Sequence, residues 1–150
     1  MSDGRRNRGP LYGIVREAFD LDQDLDLSGR VMAEFAARRD RIAGLARLVS
    51  AAGEQQDTAV LALYGEAADE LVKLIVAVAD RLGYADDETV SVSYSGGVFN
   101  AGPLIMQPFC SGLERHSRNF NLVEPMYDPD IGAAICAARL LGVKLKPEVA

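Results

Sequence analysis

The stretch that most constrains the fold is residues 89–102, TVSVSYSGGVFNAG. Valine and tyrosine alternate with serine in its first half, and this period of two residues predicts a β-strand. The strand stops at Gly96 and Gly97, where glycine permits positive φ and lets another group approach the backbone closely. A helical pattern follows from Gly102-Pro103. A strand, a double glycine and a helix place backbone N–H groups at the carboxyl edge of a sheet, where α/β proteins bind nucleotides. A plain tight turn is the simpler interpretation of the same residues.

The composition is that of an ordinary soluble domain. The chain has 150 residues, of which 49% are apolar and 25% charged, and this length suits a single domain. The net charge of −6 argues against nucleic-acid binding, because affinity for phosphates needs clustered Lys and Arg. No apolar run reaches the roughly 20 residues of a membrane span. The N-terminus also lacks the apolar stretch of a signal peptide, so we expect a cytoplasmic protein with no membrane partner.

Helical spacing covers most of the first half of the chain. Pro10 suits the first position of a short amphipathic helix. Residues 31–52 are helical in composition, but the charged run 38–41 interrupts their apolar stripe and predicts a kink or two consecutive helices. Asp57 is a good N-cap for a long central helix over residues 58–82, which would span about 37 Å.

The long helix should end at Gly83 and be buried on most sides over residues 71–79, which are apolar almost all round. Asp69 and Lys73, four residues apart, should form an ion pair on its surface.

Two features divide the segment after the paired glycines. Pro103 opens a helical pattern, and Pro108 within it predicts either a kink or a helix that begins near Gln107. Residues 119–124 alternate as a second short strand.

The last helix has a clear start. Asp128 provides an N-cap before a first-turn proline and acid, and Gly142 should end the helix. Its small residues at 131–134 should lie close to the sheet or to the paired glycines. We therefore expect a helix-rich α/β fold with a small parallel sheet. Two parallel strands make a poor sheet, so the chain looks like part of something larger.

Three groups that could carry chemistry are better explained without a ligand. The alternating acids of residues 20–26 fail the calcium-loop pattern in both registers and predict a solvated loop. Cys110 and Cys136 lie far apart and predict buried thiols rather than a metal or disulfide site. His116, at a predicted helix end, suits a cation that favours the helix dipole better than a catalytic base. We therefore predict no catalytic residue and no metal ligand.

Two motifs resemble a known family. The run Ser95-Gly96-Gly97-Val98-Phe99 after a strand, together with Pro125 and the run DPDIGAA at residues 128–134, resembles the C-terminal lobe of the BadF/BadG/BcrA/BcrD-type ATPases. That family includes the N-acetylglucosamine kinases and shares the actin/hexokinase ATPase fold. Residues 8–12 and 41–49 look like the helical part of such lobes. The resemblance covers about residues 5–142. It implies a single domain over residues 1–150 that is a partial actin/ribonuclease H-like lobe, with residues 1–9 and 143–150 as flexible tails.

The resemblance also implies a ligand and a partner. In such ATPases two lobes close on ATP, and this lobe holds the adenosine side, so Ser95, Gly96, Gly97 and Asn100 are the expected nucleotide contacts. The family's phosphate loops, Asp-Gly-Gly-x-[Ser/Thr] and Gly-Thr-Gly, are absent from this sequence. We therefore expect weak ATP binding, Mg²⁺ only with a missing N-terminal lobe, and no catalysis by the chain alone. The alternative is a non-catalytic helical interaction domain that covers its open sheet edge as a homo-oligomer.

Overall fold

The computed structural model describes residues 7–35, 38–143 and 145 and has a helix-rich α/β fold. The other residues of the two predicted tails lie outside this part of the chain. Its helices and strands follow one another as α1 (Pro10–Ala18), α2 (Asp26–Phe35), α3 (Arg39–Glu54), α4 (Thr58–Leu82), β1 (Val90–Val92), a 3₁₀ helix (Gly97–Ala101), α5 (Pro103–Glu114), β2 (Phe120–Leu122) and α6 (Pro129–Leu140). Of the two alternatives predicted around residues 38–41, two consecutive helices are present: α2 ends at Phe35, and α3 begins at Arg39 within the charged run. No described helix is long and apolar enough to cross a membrane.

Asp57 organises the enclosed end of α4. Its Oδ1 accepts hydrogen bonds from the N–H groups of Ala59 (2.9 Å) and Val60 (3.3 Å), as an N-cap should. Its Oδ2 accepts the N–H of Leu11 at 2.8 Å, so one buried carboxylate joins the starts of α1 and α4. Gly83, in the left-handed conformation with φ 77°, ends α4 as predicted.

The sheet consists of β1 and β2, which run parallel with Val90 opposite Phe120 and Val92 opposite Leu122. Helix α5 forms the connection between them. The two valines are buried and pack against Ala79 of α4, whereas Ser91 between them is exposed. The predicted strands are therefore present, although each pairs over only three residues.

The main core lies where α5 crosses α4. Ile105, Phe109 and Leu113 of α5 are buried against Val60 and other residues of α4. A Cβ added at Gly112 would lie 2.9 Å from a methyl group of Val72, so the glycine allows the two helices to approach closely.

Helix α5 begins at Pro103 and continues through Pro108 to Glu114, so the predicted start near Gln107 is wrong. Pro108 occupies the sixth position of the helix and leaves one N–H missing from the ladder. The Gly102 carbonyl accepts hydrogen bonds from both Ile105 and Met106 (3.2 and 3.0 Å), which stabilises the first turn ahead of the proline.

Two expectations about α4 are wrong. Leu74 and Val78 fall in the stretch expected to be buried, yet 63% and 55% of their surface is exposed, because no described element covers that side of the helix. Lys73 pairs with Glu70 at 2.7 Å rather than with Asp69, which lies 3.8 Å from Arg115.

The expected packing of α6 is also wrong. Helix α6 has no buried residue, and nothing lies within 4 Å of a Cβ added at Gly132. Its small-residue face therefore meets neither the sheet nor the paired glycines. Asp128 precedes the helix with extended backbone, but its side chain makes no capping hydrogen bond. The start of α6 was nevertheless predicted correctly from Asp128, Pro129 and the first-turn acid. The expected capping hydrogen bond and the expected packing were wrong.

Candidate functional site

The paired glycines form a sharp turn beyond the carboxyl end of β1. Gly96 has φ 120° and ψ 159°, a conformation that is essentially restricted to glycine. Gly97 begins the 3₁₀ helix, which was not predicted and which ends before Gly102 at φ 57° and ψ −129°. Two glycine-specific conformations therefore bracket one short helix between β1 and α5.

The structure brings the four predicted contact residues together on this turn. Ser95, Gly96, Gly97 and Asn100 are all exposed. A Cβ added at Gly96 or Gly97 would meet no atom within 4 Å. Among the described residues, the side chains of Ser95 and Asn100 make no hydrogen bond to the protein. Both are available to a ligand that approaches from solvent.

The backbone of the turn has donors to offer. The Gly96 carbonyl is occupied, because it accepts the N–H of Phe99 at 3.2 Å. Within the described part of the chain, the N–H groups of Gly96 and Gly97 themselves donate to no protein acceptor. Exposed N–H groups that lead into a helix attract anions and carbonyl or ring-nitrogen acceptors.

Three aromatic rings pack in series between the glycine turn and the main core. The ring of Tyr94 lies 4.9 Å from that of Phe99, which lies 5.8 Å from that of the buried Phe109. The glycines are therefore held on a support that continues into the main core. We did not predict this role for Tyr94 or Phe99. Their positions, at the end of a strand and inside a short turn, were the available signal.

His116 lies two residues beyond the last residue of α5, Glu114, which is the helix end where it was predicted. Its Nδ1 accepts the N–H of Arg118 at 3.1 Å, and its ring packs 5.3 Å from that of Phe120. These contacts help to shape the loop before β2, and the role of His116 as a cation at the helix end stays a prediction.

One carboxylate of the acidic loop of residues 20–26 is held by several other side chains. Asp24 accepts a hydrogen bond from the Tyr12 hydroxyl at 2.9 Å and another from Arg16, and it pairs with Arg8 at 3.1 Å. The Tyr12 hydrogen bond and then the Arg16 contact lower the pKa of Asp24. The hydrogen bonds that Arg16 donates to Asp24 and then to Tyr12 raise the pKa of Arg16. The prediction of a solvated loop is therefore correct only in part, because Leu21 is buried and the carboxylate of Asp24 is held by Tyr12 and two arginines.

Arg118 is the other organised charge. Its buried guanidinium donates to Asp80 at 2.8 Å and to Asp86 at 3.0 Å, and these hydrogen bonds raise its pKa above the ordinary value. This pairing ties the end of α4 to the loop before β2. It makes no connection with the glycine turn.

Cys110 is partly buried and Cys136 is exposed, so the expectation of two buried thiols is wrong for Cys136. In the part of the chain that the structure describes, no three His, Cys, Asp or Glu side chains come together in a way that could hold a metal ion. No protein-family model matches the chain, and no curated protein is similar to it in sequence. The family resemblance therefore stays a prediction, and any function has to be argued from the turn itself.

Proposed function

We propose that the turn formed by residues 95–100 is the adenine-nucleotide side of an incomplete ATPase site, in a lobe of the N-acetylhexosamine kinase-like, actin-related type. Ser95 and the two glycine N–H groups would meet the nucleotide along one edge. Asn100 would hydrogen-bond the ribose or the base. The chain alone would bind nucleotide without turning it over.

The observation that carries this proposal is the pair of exposed N–H groups at Gly96 and Gly97. They lie beyond the carboxyl end of a parallel strand, which is where open α/β sheets bind nucleotides. The space around both α-carbons is open, so a ligand can lie directly against the backbone. The support of the turn by Tyr94 and Phe99 favours binding further, because a preorganised surface loses less conformational entropy when it takes up a ligand.

Weak binding follows from the same geometry. Good small-molecule sites enclose most of the surface of their ligand, whereas this turn offers one open side. The sequence has neither of the family's phosphate loops, so the phosphates would find their donors and their Mg²⁺ only on a second lobe. An isolated chain should therefore favour the adenosine part over the triphosphate.

The test is a calorimetric titration of ATP and of AMP into the wild-type chain and into Gly97→Val. Gly97 has no positive φ and no neighbour near its Cβ, so valine fits the folded chain and can only obstruct a ligand. We expect at least about tenfold weaker binding of both nucleotides in Gly97→Val. Gly44→Val is the matched control, because Gly44 is also exposed with open space around its Cβ but lies in α3. Equal affinity in Gly97→Val and wild type would move the site elsewhere.

A second measurement tests the inactivity of the isolated chain. We expect no ATP hydrolysis above background when N-acetylglucosamine or another N-acetylhexosamine is added to the pure protein with Mg²⁺. Sustained sugar-dependent turnover would contradict the proposal of a half-site.

A further inference from the structure

A groove lies between the second half of α4 and the edge of β1 that faces away from β2. It has a volume of about 320 Å³, and its ten lining residues carry no charge. They are Leu74, Ile75, Val78, Ala79, Leu82, Tyr84, Val90, Ser91, Val92 and Ser93.

One wall of the groove is an unpaired strand edge. Val90 donates its N–H to Asn119 at 2.9 Å, and the Val92 carbonyl accepts the N–H of Val123 at 2.8 Å, so both residues direct their backbone groups towards β2. Alternate residues of a strand address opposite edges. The N–H and C=O of Ser91 therefore point into the groove, where no other strand of the described chain lies.

The other wall is an apolar stripe on α4. Leu74, Val78 and Leu82 are 63%, 55% and 70% exposed. They follow one another at intervals of four residues and so lie along one side of the helix. An open strand edge beside such a stripe is a surface that proteins normally cover.

We propose that this surface pairs with the same surface of a second copy of the chain, around a twofold axis that passes midway between the two Ser91 residues. The two β1 strands would then pair antiparallel, and the two Ser91 residues would exchange both backbone hydrogen bonds. The two-stranded sheet becomes a four-stranded sheet, which falls within the commonest size range for sheets.

The pattern on α4 favours a second copy over another partner. An axis perpendicular to the sheet places both α4 helices antiparallel on the same face. The stripe reads the same in both directions, because Leu74 and Leu82 flank Val78 at equal spacing. Each leucine therefore meets the opposite leucine of the second copy, and the two valines meet at the axis. A twofold contact brings a patch against itself, and an uncharged lining avoids the like-charge repulsion that a chain of net charge −6 would otherwise meet.

Each copy contributes one strand edge and half of one helix to the contact. We therefore expect a dimer that forms at higher protein concentration and dissociates on dilution.

The test is light scattering on the full chain over a wide concentration range, without nucleotide, so its outcome is independent of the nucleotide titration. Ser91→Pro removes the outward N–H and leaves the β1–β2 hydrogen bonds in place, since proline is tolerated on the open side of an edge strand. Val78→Lys places charges at the axis and leaves the strand unchanged. Met32→Lys is the control, because Met32 is also an exposed apolar residue but lies on α2. Circular dichroism checks that each variant is folded.

We expect a concentration-dependent dimer in the wild type and in Met32→Lys, and at least about tenfold weaker association in Val78→Lys and in folded Ser91→Pro. A wild-type chain that stays monomeric at all concentrations would overturn the proposal and would leave the groove to a different polypeptide. A dimer that Val78→Lys does not weaken would overturn it as well.

Discussion

The two halves of α4 differ sharply in how they are covered. In the first half, Val60, Tyr64 and Ala68 are buried, and the Tyr64 hydroxyl lies 2.9 Å from the Ser50 hydroxyl of α3. In the second half, Ala79 packs against β1, but the stripe formed by Leu74, Val78 and Leu82 is open to solvent. One continuous helix thus runs from the enclosed main core to an apolar surface that no described element covers.

This difference indicates which part of the chain is available to bind a ligand or a partner. The enclosed half is covered by the other helices, because its residues are buried against α3 and α5 and Asp57 caps its first turn. The uncovered half carries the free strand edge, and β1 leads from there directly into the glycine turn. Both proposed contacts, with a nucleotide and with a second copy, therefore lie on the side where the chain has left its own surface unpaired.

The largest expected contrast comes from one substitution made in both regions. Leu113→Ala removes a side chain that is only 4% exposed in the main core and should cost about 2–5 kcal/mol of unfolding free energy. Leu74→Ala, on the uncovered stripe, should change it by less than about 0.5 kcal/mol. Urea unfolding, at concentrations where the chain is monomeric, measures both. A similar cost at the two positions would mean that the stripe is covered within the single chain.

A smaller effect is expected at the junction of α1 and α4. Asp57→Ala removes the acceptor for Leu11, Ala59 and Val60 in a buried site, so the loss of a cap adds to the desolvation of unpaired N–H groups. We expect a loss of about 2–3 kcal/mol. Asp87→Ala, in an exposed loop beside the uncovered half, is the matched control and should be near neutral. A loss below about 0.5 kcal/mol for Asp57→Ala would show that water replaces the carboxylate.

The smallest expected effect concerns how the melting temperature falls at low pH, through Asp24 in the loop between α1 and α2. The folded pKa of Asp24 lies below its ordinary value of 3.8, first because Tyr12 donates to it and then because Arg16 does. A lowered carboxyl pKa contributes stability above the ordinary value, and this contribution is lost as the pH falls through the folded pKa. Tyr12→Phe should therefore make the fall in melting temperature below pH 4 shallower than in wild type. Tyr127→Phe, outside the cluster, should not, and an equally steep fall in Tyr12→Phe would contradict this explanation.

The sequence predicted the features whose causes are local. The bounds of α4 follow from Asp57 and Gly83, because a cap and a left-handed glycine act within a few residues. The glycine turn was found for the same reason. The 3₁₀ helix after Gly97 was missed, since nothing in its composition separates it from an ordinary turn.

The incorrect predictions mostly concern the packing of one helix or strand against another. The apolar residues of α4 and the small residues of α6 were expected to be covered, and composition alone cannot say whether a covering element exists in the same chain. Of the two predictions for Pro108, the later start of α5 near Gln107 is wrong, because α5 begins at Pro103. Contacts with the core on both sides of the proline, through Ile105 and Phe109, kept the helix continuous.

Nuclear magnetic resonance tests residue by residue the proposal that a nucleotide binds against the backbone of Gly96 and Gly97. In a titration of the ¹⁵N-labelled chain with AMP, the amide signals of these two glycines should shift most, and those of Asn100 and Tyr94 should follow. The amides of Gly13 and Gly44, on α1 and α3, should stay unchanged. Saturating AMP that leaves both turn glycines unmoved, or that shifts signals mainly elsewhere, would contradict the claim.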